Sequence, residues 1–394
     1  MTRHLRYIPW AILAVMIGLS CADEETATSP SAVQTPPGKQ ASCLPLCFEA
    51  GGGDGHADPL GARAAGQARA GRITSASQIV TGPDARQLPR VGDFLLANDR
   101  IAVYIEDKGI SDGYARFGGE ILALDRVGSD GRPLGLSRYG ETLMAISKEM
   151  IDPSSVTVLQ DGSDGKEAVV RVLGKLTPIP FLGSLGALFP RKYGFQAVYD
   201  YILEPGSERL KVRLGLRNDS ADDADLKFDE MHGFFHSSKS RLVTPESGYG
   251  EPKGLVSWAG FDGGDLGFAW RLPGRKLEYA VSISGFQYFL GGGKAVAAGQ
   301  ERFFDHAEII VGGPHLDGLR EAIRRVDGEA PWTEVKGTVS EQGGAPVPGA
   351  LVHLLGDDGA YLSRTVADDQ GKFTIHTPPG GGARLVPSRA GYAS

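Results

Sequence analysis

Cysteine is scarce in this sequence. Three in 394 residues are too few for a disulfide framework. Nor is there an excess of basic charge. The 48 acidic residues outnumber the 41 basic ones and leave a net charge of −7, which argues against a nucleic acid or another polyanion as the main partner. Helical periodicity is sparse, and beyond the N-terminus no run is long and apolar enough to span a ~30 Å hydrocarbon core. Glycine, by contrast, abounds, with 56 residues beside 24 prolines. That is about twice the usual glycine share, yet Gly and Pro together stay below the ~25–30% that marks disorder. A turn-rich chain with so little helix signal reads as all-β. At ~150 residues per domain it has room for two or three domains.

The N-terminus carries a compartment signal. Arg3, His4 and Arg6 form a basic start, and Ile8 to Leu19 is a 12-residue apolar run broken only by Pro9. The run is short for a membrane span and reads as a signal peptide, residues 1–21. Gly18-Leu19-Ser20-Cys21 resembles a bacterial lipobox, which implies lipidation of Cys21. The expected location is therefore the cell envelope, as an outer-membrane lipoprotein. Ordinary cleavage and secretion is the alternative, because Gly18 replaces the branched aliphatic residue usual there.

Residues 22–72 are Ala, Gly, Ser, Thr, Pro and Gln with hardly an aromatic, and read as a disordered tether. Cys43 and Cys47 lie inside it. They fit a local disulfide or two idle thiols better than a redox pair or half a zinc site, since no second Cys pair completes a ligand set. From Ile73 onward strand and turn signals alternate. Val91 to Glu106 reads as strand, Asn98-Asp99 turn, strand, and Phe195 to Arg217 as two strands around Glu204-Pro-Gly-Ser207. In the latter, Leu210, Val212, Leu214 and Leu216 alternate with Arg209, Lys211, Arg213 and Arg217, the mark of a half-buried antiparallel strand. About ten such strands predict a large antiparallel β-sandwich over 73–330. One helix is expected at Asp317 to Val326, N-capped by Asp317.

The C-terminal stretch carries a family resemblance. Val335-Lys-Gly-Thr-Val339, Ala345 to Leu354, Thr365 to Ile375 and Pro379-Gly-Gly381, in series, resemble the carboxypeptidase regulatory-like domain. The resemblance implies a small transthyretin-like β-sandwich over 331–394. That family continues past the Ala390-Gly391-Tyr392 sequence, which implies an incomplete module and a fragment of a longer protein. Gly92 to Arg100, Ser137 to Thr142 and Tyr201 to Leu210 are similar to the N-terminal part of secreted proteobacterial proteins. In those, the module precedes a metallohydrolase domain of the polymerase-and-histidinol-phosphatase type. The His-x-His signature of that domain is absent, so no catalytic residue carries over.

Several constellations deserve weighing against ordinary structural roles. His232 and His236, behind Asp229-Glu230, are the best metal candidates, but their flanks suggest strand or loop, where they lie ~13 Å apart. Asp305-His306, near Glu308, has the composition of an acid/base pair, yet no nucleophile accompanies it. Asp161 to Gly165 and Asp262 to Asp265 are weak calcium-loop matches, better explained as turns. Leu176 to Pro190 is an uncharged, proline-broken stretch that folds over the sandwich or docks elsewhere. Trp258 and Trp270 have the chemistry to stack on sugar rings, though tryptophans at strand spacing usually belong to a core. No catalytic set or cofactor site emerges. The expected function is a lipid-anchored binding or scaffolding segment that is non-catalytic by itself. Alternatives are an accessory region of a hydrolase whose catalytic domain lies beyond Ser394, and a carbohydrate-binding module. The partners implied are the outer membrane, a glycan or a downstream domain.

Overall fold

The computed structural model describes residues 46–109, 113–180, 194–219, 226–236, 239–283 and 285–392. The expected signal peptide, the lipidation site Cys21 and Cys43 lie outside these residues, as does the apolar stretch from 181 onward. Among the described residues no helix is long and apolar enough to cross a membrane.

The protein is almost entirely β. A four-stranded antiparallel sheet comprises β1 (Ala68–Arg72), β2 (Phe94–Asn98), β3 (Ile101–Ile105) and β4 (Ile121–Arg126) in that order. A 13-stranded sheet begins with β5 (Glu141–Ile146), β6 (Glu149–Asp161), β7 (Ala168–Pro178), β8 (Gln196–Leu203) and β9 (Arg209–Arg217). It continues through β10 (Leu226–Phe235), β11 (Arg241–Val243), β12 (Leu255–Val256) and β13 (Ala259–Asp262). Its last members are β14 (Gly267–Arg271), β15 (Leu277–Ile283), β16 (Phe286–Val296) and β17 (Glu301–Gly312). The spatial order is β11-β13-β14-β17-β9-β8-β7-β6-β5-β10-β16-β15-β12. After α1 (His315–Asp327) come β18 (Thr333–Thr338), β19 (Leu351–Gly356), β20 (Tyr361–Val366), β21 (Lys372–Thr377) and β22 (Ala383–Ser388). These last five form the two-stranded pair β18-β21 and the three-stranded sheet β20-β19-β22.

Alternation dictates how the layers meet. In β9, Leu210, Val212, Leu214 and Leu216 are buried in the main core while the intervening cations face the other way. The same core takes Phe94, Leu96, Ile101 and Val103 from the small sheet and Val170, Tyr199 and Val212 from the middle of the large one. Asn98 ties two hairpins together. Its Oδ1 accepts from the N–H of Arg100 and Ile101, and its Nδ2 donates to Glu204 O and Ser207 O. The two ends of the large sheet also face each other, because His232 of β10 lies against Trp270 of β14 and His306 of β17.

Two expectations need correction. The tether predicted over 22–72 ends earlier, since Phe48, Leu60 and Ala62 are buried and β1 pairs with β2. Here an inward-facing arginine recruits the chain: Arg171 on β7 is fully buried, pairs with Asp200 at 2.7 Å and donates to Cys47 O at 2.6 Å and Glu49 O at 3.1 Å. Asp317 is not the N-cap of α1. Pro314 holds that position without a side-chain bond, and the buried Asp317 carboxylate instead accepts from Ser363 Oγ and His376 Nδ1. The C-terminal strands are thus docked on the helix, and a buried Arg364–Asp262 pair at 2.6 Å adds a second tie. The described residues belong to one compact unit.

Candidate functional site

Strand β10 alternates throughout its inward row. Leu226, Phe228, Glu230, His232 and Phe234 are buried, whereas Lys227 and Asp229 are exposed. The period of two therefore drives a carboxylate and an imidazole into an apolar row. Two β-bulges frame them. The register of β17 against β9 shifts between Asp305 and Ala307, so His306 is an extra residue. The register of β16 against β10 shifts between Glu230 and Met231, leaving Gly291 as the extra residue between Leu290 and Gly292. Bulges re-aim side chains and break the alternation of their strand. Only glycine lets the second bulge come so near: a Cβ at Gly291 would lie 2.9 Å from Glu230 Cβ and 3.1 Å from His232 Nε2.

Glu230 is the hub. Its Oε1 accepts from His306 Nδ1 and from Lys294 Nζ, both at 2.8 Å, and its Oε2 accepts from Arg275 Nη1 at 2.6 Å. Burial alone would raise the Glu230 pKa. The bonds from His306, Arg275 and Lys294 outweigh it and hold the carboxyl well below the usual carboxylate range. An ionised carboxylate only accepts, so the shared proton sits on His306 Nδ1. The His232 ring lies 4.8 Å from that of His306 and 5.6 Å from that of Trp270, centroid to centroid. Burial, helped by His306, pushes His232 well below the ordinary imidazole value. Burial likewise lowers Lys294, although Glu230 opposes it.

Five nitrogens here have no hydrogen-bond partner among the described residues: both of His232, His306 Nε2, Trp270 Nε1 and Arg275 Nη2. A buried donor or acceptor left unsatisfied costs ~1–3 kcal/mol. Native interiors hold only a few such groups per hundred residues, and these sit on adjoining side chains. Arg275 joins this interior to the surface. It lines a cleft of about 800 Å³ together with Arg209, Leu255, Arg271, Lys276 and Glu308. Glu308 bridges Arg209 at 2.8 Å and Arg271 at 2.7 Å, and no other carboxylate joins the lining. Four cations and one anion line the wall, and from outside it Glu204 pairs with Arg209, Asp327 with Arg271, Glu230 with Arg275 and Glu246 with Lys276.

The structure separates some of the residues that the sequence grouped and joins others. His232 points inward from β10, while His236 follows the strand end and faces Ser240 O at 3.1 Å. No group of three or more metal-ligating side chains occurs among the described residues. His306 is oriented by Glu230, not by its sequence neighbour Asp305, and Glu308 belongs to the cleft. Neither Trp258 nor Trp270 offers an open stacking face, at 7% and 0% exposure. Trp258 packs beneath α1, and Trp270 stands beside His232. Asp161 caps its own turn through Ser163, and Asp262 is engaged by Gly264 N and Arg364. Cys47 is disulfide-bonded. Sequence reasoning missed Lys294 and Arg275, and named Glu230 only as an acidic neighbour of His232. Glu230 was within reach of a strict period-two reading of 226–234; the other two come from distant segments that only the folded sheet brings together.

Fold and site together define an all-β protein of large antiparallel sheets with a polar, cation-lined interior at one end of the sandwich. Residues 334–394 match the carboxypeptidase regulatory-like domain family. None of the curated proteins matches the chain. Among solved structures, a TPR-domain containing protein from Parabacteroides distasonis is similar at 9% identity and a TM-score of 0.34, over 63% of this chain and 52% of that one. The chain thus spans about half the length of that protein. A galactose mutarotase-like protein from Lactobacillus casei is similar at 12% identity and a TM-score of 0.30, over 56% of this chain and 99% of that one. An alpha-galactosidase from Lactobacillus brevis follows at 10% and 0.31, over 61% and 41%.

Proposed function

We propose that this chain is the binding segment of a lipid-anchored envelope protein, held to the outer membrane through Cys21, and that its ligand is an acidic glycan or sugar acid taken up in the cation-lined cleft. The observation that carries this reading is the set Arg209, Arg271, Arg275 and Lys276 around one cavity whose lining holds Glu308 as its one carboxylate, with Glu204, Asp327, Glu230 and Glu246 pairing with those cations from outside the lining. Guanidinium groups present planar, paired donors that match a carboxylate. The apolar Leu255 beside them suits the body of a small ring. The notion of sugar stacking on Trp258 and Trp270 is set aside, because both are buried.

Calorimetric titration with glucuronate tests the reading. Lys276 is half exposed, so Lys276→Glu leaves the fold intact. The variant should bind about three- to tenfold more weakly, and wild-type affinity should fall as salt rises. Affinity indifferent to both salt and Lys276→Glu would sink the cleft as an anion site.

A further inference from the structure

The cleft explains an anionic ligand but not the unpartnered nitrogens behind it. The donor and acceptor characters of His232, Trp270 and Arg275 can be assigned. His306 gives its Nδ1 proton to Glu230, and its Nε2 is left without a partner. His232 is kept neutral by burial and therefore offers one N–H and one lone pair. Trp270 Nε1 and Arg275 Nη2 only donate. The set is thus mixed: the N–H groups of Trp270, Arg275 and His232 stand beside a lone pair of His232. A carboxylate or phosphate suits Arg275 and Trp270 but meets the lone pair of His232. A cation finds only the His232 lone pair, flanked by Arg275 and Lys294. Hydroxyl groups satisfy both kinds at once, because each donates one hydrogen bond and accepts others.

Geometry points the same way. His232, His306 and Trp270 are fully buried, the two bulges set His306 and Gly291 beside Glu230 and His232, and Arg275, bonded to Glu230 and to Gly291 O, also lines the cleft. Arg275 is therefore common to the cleft and to the Glu230 cluster. We propose that His232, His306, Trp270 and Arg275 form an inner subsite that reads hydroxyl groups of the ligand whose acidic group lies in the cleft. The class of ligand is then a polyhydroxylated carboxylic acid, such as a uronic acid. This inference rests on the cleft being the ligand site.

The test is NMR of the full chain carrying ring-labelled histidine, titrated with three probes: glucuronate, glucose and cyclohexanecarboxylate. Glucuronate should bind about tenfold or more tighter than cyclohexanecarboxylate, the equivalent of one or more well-made hydrogen bonds. It should also move the His232 and His306 ring signals. Cyclohexanecarboxylate should bind weakly and leave those signals in place. His306→Gln keeps a polar side chain and should erase the preference between the two acids. Glucuronate binding without any shift of His232 or His306 would overturn the inner subsite and leave the cleft reading standing. Glucose shifting both histidines as strongly as glucuronate does would support the hydroxyl subsite and overturn the acidic cleft. No binding by any of the three probes would overturn both.

Discussion

A single buried carboxylate organises the interior of the sandwich. Glu230 neutralises Arg275 and Lys294 and orients His306. Removing one partner of such a group strands the others, at ~3–5 kcal/mol. Glu230→Gln should destabilise the protein by about that much in urea unfolding; a loss below ~1 kcal/mol would show that the pairs contribute little. The pH dependence follows from the directions of the shifts. Both Glu230 and His232 are lowered in the folded state, so below the unfolded values, about 4.3 and 6.5, the unfolded chain binds more protons. Stability is therefore fully present above pH ~6.5 and falls as acid is added, His232 acting first. The fall attributable to His232 should approach ~1.4 kcal/mol per pH unit below 6.5. In His232→Gln the decline between pH 6.5 and 5 should flatten, as read by unfolding midpoints at several pH values. An unchanged slope would mean that His232 already titrates in the folded protein.

Strands were the most legible elements, because alternation and turn chemistry agree locally. The hairpins at Asn98-Asp99 and at Glu204 to Ser207 stand where the sequence placed them. Strand β1, Ala-Arg-Ala-Gly-Arg, was not legible, since two alanines give almost no hydrophobic contrast and the strand exists only by pairing with β2. Bulges were invisible for a related reason. They depend on the partner strand, and nothing in Asp305-His306-Ala307 announces that the inward row changes parity there. The bulge at Gly291 yields a prediction at this scale. Gly291→Val would press a branched side chain against Glu230 and His232, at 2.9 and 3.1 Å for the Cβ alone. Overpacking of this kind costs ~1–3 kcal/mol. Thermal unfolding should show that loss together with weakened glucuronate binding, whereas wild-type behaviour would mean that β16 yields without moving the cluster.

At the scale of the whole molecule, the order of the large sheet could not be read from the chain, because β10 and β17 are separated in the sheet by five strands and yet meet face to face at Glu230 and His306. The C-terminal module was legible as a sequence motif, but its docking was not. Asp317, which has the residue type of a helix cap, spends its carboxylate on Ser363 and His376 instead. Asp317→Ala should leave those groups unpaired, cost ~1–3 kcal/mol and increase proteolysis between α1 and β18; unchanged cleavage would show that Arg364–Asp262 holds the module unaided. The proposed anchor has its own check: palmitate labelling in cells should mark the wild type and not Cys21→Ser, and equal labelling of both would remove the lipid from the account. The central claim is that the polar interior between β10, β16 and β17 receives a ligand through the Arg275 cleft. Crystallography of the protein with glucuronate tests it most directly. The account predicts the carboxylate among Arg209, Arg271 and Lys276, with a ligand hydroxyl bonded to His306 Nε2 and Arg275 Nη2. Glucuronate bound elsewhere, with His232 and His306 bonded only to water, would contradict it.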